Sequence, residues 1–79
     1  MNLELIEKLA EAAHDVWAEG KFRDGWVYAV DTDKPNKKHA CLVPYDELSE
    51  ADKQSDRDLA VGIPAILKKA GYEIRLLSF

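Results

Sequence analysis

Apolar residues between positions 3 and 17 recur at helical spacing and fill one arc of about 180° on a helical wheel. That arc comprises Leu3, Leu5, Ile6, Leu9, Ala10, Ala12, Ala13, Val16 and Trp17. Glu4 and Glu7 lie in the first turns, where the helix dipole favours anions. Gly20 is suited to the left-handed residue that closes many helices. The pattern predicts an amphipathic helix that begins near Leu3 and ends at Gly20.

The middle of the chain predicts extended structure around an exposed loop. Residues 26 to 30 form a short aromatic and β-branched run, which favours a strand. Residues 31 to 38 are rich in turn formers and carry three lysines within five positions, so the tip of this loop should be exposed. Apolar residues return at Cys41, and Pro44 then restricts the backbone on the way to a second helix.

A second helix is predicted from Ser49, which has the character of an N-cap followed by acidic residues. Its apolar positions are Leu59, Ile63, Ile66, Leu67 and Ala70. Pro64 lacks an amide donor, so we expect a break or kink near Gly62 before the helix ends at Gly71. Residues 72 to 79 alternate sufficiently to form a strand that pairs with residues 26 to 30.

These elements predict an α+β fold that is mostly α: an antiparallel helical hairpin with short β segments. The chain has 79 residues, of which 47% are hydrophobic and 33% charged, as in an ordinary globular domain. We expect one domain over residues 1 to 79. A domain of this size hides only about 60% of the surface that its unfolded chain exposes, which favours self-association as a homodimer.

The charge disfavours two classes of partner, and the cysteine content excludes an internal disulfide. The formal net charge is −4, and the acidic residues are spread along the chain. Binding to nucleic acid or to an anionic membrane is therefore disfavoured, because both require many cations facing a polyanion. A single cysteine, Cys41, cannot form an internal disulfide, and no stretch has the length of a membrane span. We expect a cytoplasmic protein.

Neither a metal centre nor a catalytic site is predicted. His14 and His39 lack the close Cys or His partners of a structural zinc site, and simple hydrogen bonds are expected of them. No motif combines a nucleophile with an orienting base, so an enzyme is the least favoured class. We expect no cofactor.

Several short motifs occur in order along the chain. They are Leu9-Ala10-Glu11, His14-Asp15-Val16-Trp17, Gly25-Trp26-Val27-Tyr28, Lys37-Lys38-His39-Ala40-Cys41-Leu42-Val43-Pro44-Tyr45, Asp56-Arg57 and Gly71-Tyr72-Glu73-Ile74. Together they resemble the RyR repeat of the ryanodine-receptor family, over about residues 9 to 74. The resemblance implies two antiparallel helices with short β segments. Departures at Ala40, Gly62 and Pro64 favour a solitary member of prokaryotic or phage type.

The resemblance also suggests a ligand, since such repeats have been linked to adenine nucleotides. Trp26 and Tyr28 precede the lysine-rich loop, so a flat ligand could stack on them while Lys37 or Lys38 meets a phosphate. Packing of the two aromatic residues under the loop is the alternative. A nucleotide-like ligand is therefore one hypothesis for the chain.

Asp56 falls on the apolar side of the second predicted helix, where a carboxylate needs a partner. The indole of Trp26, the hydroxyl of Tyr28 or Tyr45, or a lysine is expected to meet it. Alternatively, Asp56 reads a ligand hydroxyl or amine, with Arg57 as an anion contact.

The candidate ligand-binding residues are Trp26, Tyr28, Lys37, Lys38, Tyr45, Asp56 and Arg57. A non-enzymatic ligand-sensing or protein-interaction module is the leading hypothesis for function. The alternatives are a binder of a nucleotide-like small molecule and a purely structural dimerisation domain, because fold alone does not determine function.

Overall fold

Two long antiparallel helices form the frame of the protein in this computed structural model, which describes residues 3 to 73 and residue 75. Helix α1 spans Leu3–Arg23, and helix α2 spans Glu50–Lys69. The predicted mostly α hairpin with short β segments is confirmed. As predicted, Ser49 caps α2: its hydroxyl oxygen accepts a hydrogen bond from the amide of Asp52 at 3.2 Å.

Helix α1 continues one turn beyond the end predicted at Gly20. The left-handed residue is Gly25, with a φ of 88°. The amide of Trp26 donates to the carbonyl of Lys21 at 2.9 Å, and the amide of Gly25 donates to Phe22 at 3.1 Å. This pair of bonds is the Schellman motif, which satisfies the last free carbonyls of a helix. The prediction was wrong because Gly20 is tolerated inside the helix while a later glycine closes it.

Helix α2 ends in the same way at the predicted residue, Gly71, whose φ is 93°. The amide of Tyr72 donates to the carbonyl of Leu67 at 2.8 Å, and that of Gly71 donates to Lys68 at 3.1 Å. Of the break or kink predicted near Gly62, the break is wrong, because the helix runs through Pro64 without interruption. Proline removes one hydrogen bond, and the turns on both sides of it keep the helix continuous.

A small parallel sheet lies between the helices in sequence. Strand β1, Val27–Tyr28, pairs with strand β2, Lys38–His39, with Val27 opposite Lys38. Single 3-10 turns at Lys34–Asn36 and Tyr45–Glu47 complete the connection. The predicted strand after Trp26 thus pairs with the residues that follow the lysine-rich loop. No strand occurs at residues 72, 73 and 75, and the rest of the predicted terminal strand lies outside the described residues.

The helices meet through small residues, and the core is correspondingly small. Ala10 of α1 and Ala60 of α2 are both fully buried. Leu42, Tyr45 and Leu48, from the connection between the helices, are the other buried hydrophobic side chains among the described residues. Side chains this short let two helix backbones approach closely. The connection therefore packs directly against the hairpin and brings its polar residues up to both helices.

Neither described helix combines the length and apolarity that a membrane crossing requires.

Candidate functional site

A cleft of about 190 Å³ lies where helix α1, the segment around β2 and the first half of α2 meet. We call it the interhelical cleft. It is lined by His14, Trp17, His39, Cys41, Leu48, Asp52, Ser55 and Asp56. Seven of these eight residues carry a hydrogen-bonding or ionisable group on the side chain, and Leu48 is the exception. The cleft is thus polar on most of its sides.

His14 is the most deeply buried polar residue of the cleft, with 4% of its surface exposed. Its Nε2 lies 2.6 Å from the carbonyl oxygen of Val43. Because a carbonyl oxygen can only accept a hydrogen bond, Nε2 carries the proton. In the neutral ring Nδ1 is then an acceptor, and it lies 3.8 Å from Oδ2 of Asp56. This separation is too long for a direct hydrogen bond.

Asp56 faces His14, which differs from the partners predicted for it. The sequence-based candidates were Trp26, Tyr28, Tyr45 or a lysine, whereas the charged contact in the described residues is with the imidazole. Burial raises the pKa of Asp56, the charge on His14 opposes that rise, and the nearby carboxylate of Asp52 adds to it. The carboxyl is inward-facing, as predicted, and the imidazole of His14 is its basic neighbour.

His39 is held as a neutral imidazole. Its Nδ1 accepts a hydrogen bond from the amide of Cys41 at 3.0 Å, which places the ring proton on Nε2. Burial is the largest cause of the lowered pKa of His39; Lys21 and Lys34 lower it further, and Asp52 opposes them. Near neutral pH this ring therefore contributes no charge to the cleft. The simple hydrogen bonds expected of both histidines are confirmed.

Cys41 is held as a thiol. Its Sγ donates to Oδ2 of Asp52 at 3.6 Å. Burial raises the pKa of this thiol, and the negative charges of Asp52 and then Asp56 add to the rise. Burial and these two carboxylates together disfavour the thiolate of Cys41.

Trp17 forms the aromatic wall of the cleft. Its ring lies 4.9 Å from that of His39 in a T-shaped arrangement and 5.6 Å from that of His14. The predicted core position is thus half right, since Trp17 packs against the histidines and also borders open space.

A second polar cluster, the arginine cluster, consists of Glu7, Tyr45, Glu50, Gln54 and Arg57. The guanidinium of Arg57 binds Glu7 through Nε, and its Nη1 donates to Glu50 at 3.0 Å. The hydroxyl of Tyr45 donates to Glu7 at 3.2 Å. The hydrogen bond from Arg57 is the main cause of the lowered pKa of Glu7, and Glu7 in turn raises the pKa of Arg57.

The predicted ligand residues fall into three groups of contacts. Tyr45 and Arg57 meet within the arginine cluster, while Asp56 lines the interhelical cleft. The other four residues, Trp26, Tyr28, Lys37 and Lys38, belong to the sheet and its loop. Tyr45 and Arg57 are already bonded to the carboxylate of Glu7, which reduces their capacity to bind an added anion.

We call these four residues the sheet group, and two of them already contact neighbouring residues. The ammonium of Lys21 lies 4.4 Å from the centre of the Trp26 ring, and His39 lies 6.2 Å from the same ring. Lys37 donates to the carbonyl of Asp24 at 2.9 Å. Tyr28 is half exposed and Lys38 is exposed. The contacts of Trp26 favour the alternative interpretation, in which its ring packs beneath the loop.

The sequence analysis did not assemble the interhelical cleft, although two spacings indicated part of it. Asp52 and Asp56 are four residues apart, and so are on one side of α2; His14 and Trp17 are three apart on α1. No local pattern shows that these two pairs face each other across β2. Among the described residues, no group of three or more His, Cys, Asp or Glu side chains is arranged to hold a metal ion.

Comparison with known protein families confirms the resemblance seen in the motifs. The family described as RyR domain matches residues 2 to 76, which is nearly the whole chain and more than the stretch from 9 to 74 that the motifs covered. The helical hairpin with its short β segments agrees with the fold that this resemblance implies. The chain therefore belongs to the RyR domain family.

Proposed function

We propose that this RyR domain is a non-enzymatic binding module that senses a small ligand in the interhelical cleft. The observation that carries the proposal is the composition of the cleft walls. His14 and Trp17 come from α1, His39 and Cys41 from the connection, and Asp56 from α2. One occupant would therefore contact every main part of the fold.

Binding at such a position is coupled to the stability of the hairpin. A ligand that binds the folded chain and not the unfolded one stabilises the fold by mass action. The core that holds α1 against α2 is small. Ligand contacts to both helices are therefore expected to add substantially to the cohesion of the domain, which is the property that a sensing module requires.

Cys41 offers a direct test, because it is the single cysteine of the chain and lines the cleft. A chemically diverse panel of cationic, neutral and anionic small molecules is screened for slower alkylation of Cys41 together with an increase in Tm. The matched control is the Cys41→Ser/Val30→Cys double variant, in which the thiol occupies a site that is 79% exposed. A cleft ligand protects Cys41 and does not protect the control thiol. If no compound in the panel does so, the cleft is not a ligand site.

A protein-interaction role is the second candidate, favoured by apolar side chains that the hairpin leaves exposed. Val16 is 69% exposed on α1, and Leu59 and Ile66 are 63% and 67% exposed on α2. A homodimer would cover such residues, and two repeats together would resemble the tandem pairs of the receptors. Light scattering over a dilution series tests this candidate: a strictly monomeric chain at all concentrations would remove it.

A nucleotide-like ligand remains the alternative for the sheet group. Exposed Tyr28 and Lys38 lie beside Trp26 there, but Lys21 and Lys37 already have partners. Calorimetry against a nucleotide panel decides, and the absence of both heat and a thermal shift would count against it. A solitary, prokaryotic or phage-type origin and a cytoplasmic location stay predictions from the sequence.

A further inference from the structure

We infer that the outer edge of strand β1 is an interaction surface to which a second copy of this chain adds its own β1. The two strands run antiparallel, in the register that places Tyr28 opposite Tyr28. This inference rests on the homodimer that is the second candidate function, and it names the surface that joins the two copies. Its basis is a set of backbone groups and apolar side chains that the sheet leaves uncovered.

The two-stranded sheet is closed at the edge of β2. This strand pairs with β1 on one side, and on its other side Lys38 pairs with Asp33. The amide of Lys38 donates to the carbonyl of Asp33 at 3.0 Å, and the amide of Asp33 donates back to Lys38 at 2.9 Å. Both sides of β2 are thus occupied, and a further strand can add beside β1.

The edge formed by β1 is open. The amides of Val27 and Ala29 donate inward, to carbonyls of the β2 segment at 3.0 and 3.4 Å. Backbone groups of successive residues point to opposite edges of a strand, so the amide and the carbonyl of Tyr28 point outward. By the same alternation, the carbonyl of Trp26 and the amide of Val30 lie on the outer edge. No described residue forms a backbone hydrogen bond with these groups.

Apolar side chains accompany the open edge. Val27 and Tyr28 are 52% and 51% exposed, and Val30 is 79% exposed. Natural edge strands are commonly protected from pairing by charged residues, by proline or by a short length. Residues 26 to 30 contain neither a charged residue nor a proline. Short length is therefore the protection that this edge retains, and it limits the strength of pairing rather than preventing it.

The edge is complementary to itself about Tyr28. In an antiparallel pair centred on this residue, each Tyr28 amide donates to the carbonyl of the other Tyr28. The amide of each Val30 meets the carbonyl of the opposite Trp26, and their side chains form an aromatic and β-branched cross-strand pair. Asp31 then faces Gly25 of the other copy, so like charges are not placed directly opposite each other. The result is a dimer with two-fold symmetry.

The terminal segment of the same chain is less suited to this edge. The sheet lies beside the start of α2, because His39 of β2 lines the same cleft as Asp52. Helix α2 ends at Lys69, which is about 26 Å from Asp52 at the rise of an α-helix. Residues 72 to 79 also span about 26 Å when fully extended. Most of that length would be used in reaching the sheet, whereas a second copy has no such limit.

The test is amide hydrogen exchange of the whole chain, measured by NMR over a dilution series that starts at millimolar concentration. The paired segment has about five residues a side, against about 20–30 in a standard interface, so we expect a weak dimer. Exchange of the Tyr28 amide should slow by about twofold when half of the chains are dimeric, and further as that fraction rises. Light scattering on the same samples measures the fraction.

The amide of Val27 is the internal control for this measurement. Its acceptor is the carbonyl of Lys37 in the same chain. Val27 should therefore be protected even in the most dilute sample, where the outward amide of Tyr28 is bonded to water and exchanges rapidly.

Substitutions separate the backbone of β1 from its side chains. Tyr28→Pro removes the outward amide and none of the bonds to β2, and proline is accepted on the open side of an edge strand. Each dimer loses both bonds between the two Tyr28 residues, so the dissociation constant should rise by at least about tenfold. Tyr28→Thr loses the ring but keeps the amide, and should weaken the dimer less.

The matched control is Leu59→Ser, which removes an apolar residue of α2 that is 63% exposed and lies outside the sheet. We expect it to change the dissociation constant by less than about twofold, as for other surface substitutions. Circular dichroism verifies that every variant retains its helices.

Three results would overturn the inference. A chain that stays monomeric at millimolar concentration would remove the homodimer and this surface together. A dimer that Tyr28→Pro leaves intact, or that Leu59→Ser weakens equally, would keep the homodimer and refute the β1 edge as its interface. Protection of the Tyr28 amide at every dilution would show that a segment of the same chain, such as residues 72 to 79, covers the edge instead.

Discussion

The arginine cluster and the interhelical cleft use the same helices and the same kinds of side chain, yet they differ in their balance of charges. In the cluster, the guanidinium of Arg57 and the hydroxyl of Tyr45 satisfy the carboxylate of Glu7. In the cleft, Oδ2 of Asp56 lies 3.8 Å from Nδ1 of His14, which is too far for a direct hydrogen bond. Direct hydrogen bonding therefore separates the two regions: Glu7 is bonded directly to its partners, whereas Asp56 is not bonded directly to His14.

The acidities of two carboxyl groups express the same contrast. The pKa of Glu7 is lowered, chiefly by the hydrogen bond from Arg57. The pKa of Asp56 is raised, chiefly by burial. Ionisation of Glu7 is thus favoured by folding, whereas ionisation of Asp56 is disfavoured by it. These shifts predict that ionised Glu7 stabilises the fold and that ionised Asp56 does not.

Truncating the core residue of the arginine cluster should have the largest effect on stability. Tyr45→Ala removes a ring that is 6% exposed and packs in the core. It is expected to cost about 3–5 kcal/mol, as for other buried aromatic side chains. Tyr45→Phe retains the ring and loses the bond to Glu7, so its cost should be only about 0.5–1.5 kcal/mol. Urea denaturation measures both variants, and equal losses would show that the ring contributes little.

The pH dependence of stability should move in opposite directions for the two carboxyl groups. Because the pKa of Glu7 is lowered from 4.5, its stabilisation is present above pH 4.5 and is lost as the pH falls further. Glu7→Gln should therefore be less stable than the unmodified chain at neutral pH, and the difference should shrink in acid.

For Asp56 the sign is reversed. Its pKa is raised from 3.8, so the fold is favoured while the group is protonated and loses that contribution as the pH rises above 3.8. Asp56→Asn should be more stable at neutral pH by up to about 1 kcal/mol, with no advantage in acid. Thermal unfolding of both variants between about pH 3 and pH 7 measures these two differences. A loss of stability in Asp56→Asn at neutral pH would mean that Asp56 is satisfied within the fold.

The smallest expected effect is on the reactivity of Cys41. The negative charge of Asp52 contributes to the raised pKa of this thiol, after burial. Asp52→Asn should therefore lower that pKa and speed alkylation at mildly alkaline pH, where the thiolate is the reactive form. Asp58→Asn is the control and should leave the rate unchanged. An unchanged rate in Asp52→Asn would show that the potential of the cleft is not set by this carboxylate.

The elements that could be predicted from the sequence are those with local causes. The apolar arc between residues 3 and 17 predicted α1, and Ser49 was identified as the N-cap of α2. The end of α1 was misplaced because Gly20 and Gly25 have equal local freedom to adopt a left-handed conformation. The backbone bonds of Trp26 and Gly25 decide between them, and those bonds depend on where the chain turns next.

The candidate site was predictable only in fragments. Asp56 was expected to face inward, and it does, but its predicted partners were wrong. For His14 the sequence predicted only a simple hydrogen bond, because no close Cys or His residue accompanies it. The proton on Nε2 follows from the carbonyl of Val43, which is 29 residues away in sequence.

The sequence by itself determined two amphipathic helices, their polar connection and the family to which the chain belongs, because periodicity, capping residues and ordered motifs are properties of neighbouring residues. Only the tertiary structure decided that β1 pairs with β2, that Arg57 neutralises Glu7, and that Asp52 and Asp56 line one cleft with His14 and His39. Charge compensation depends on distances of a few ångströms between residues far apart in the chain. Those distances arise only when the helices pack.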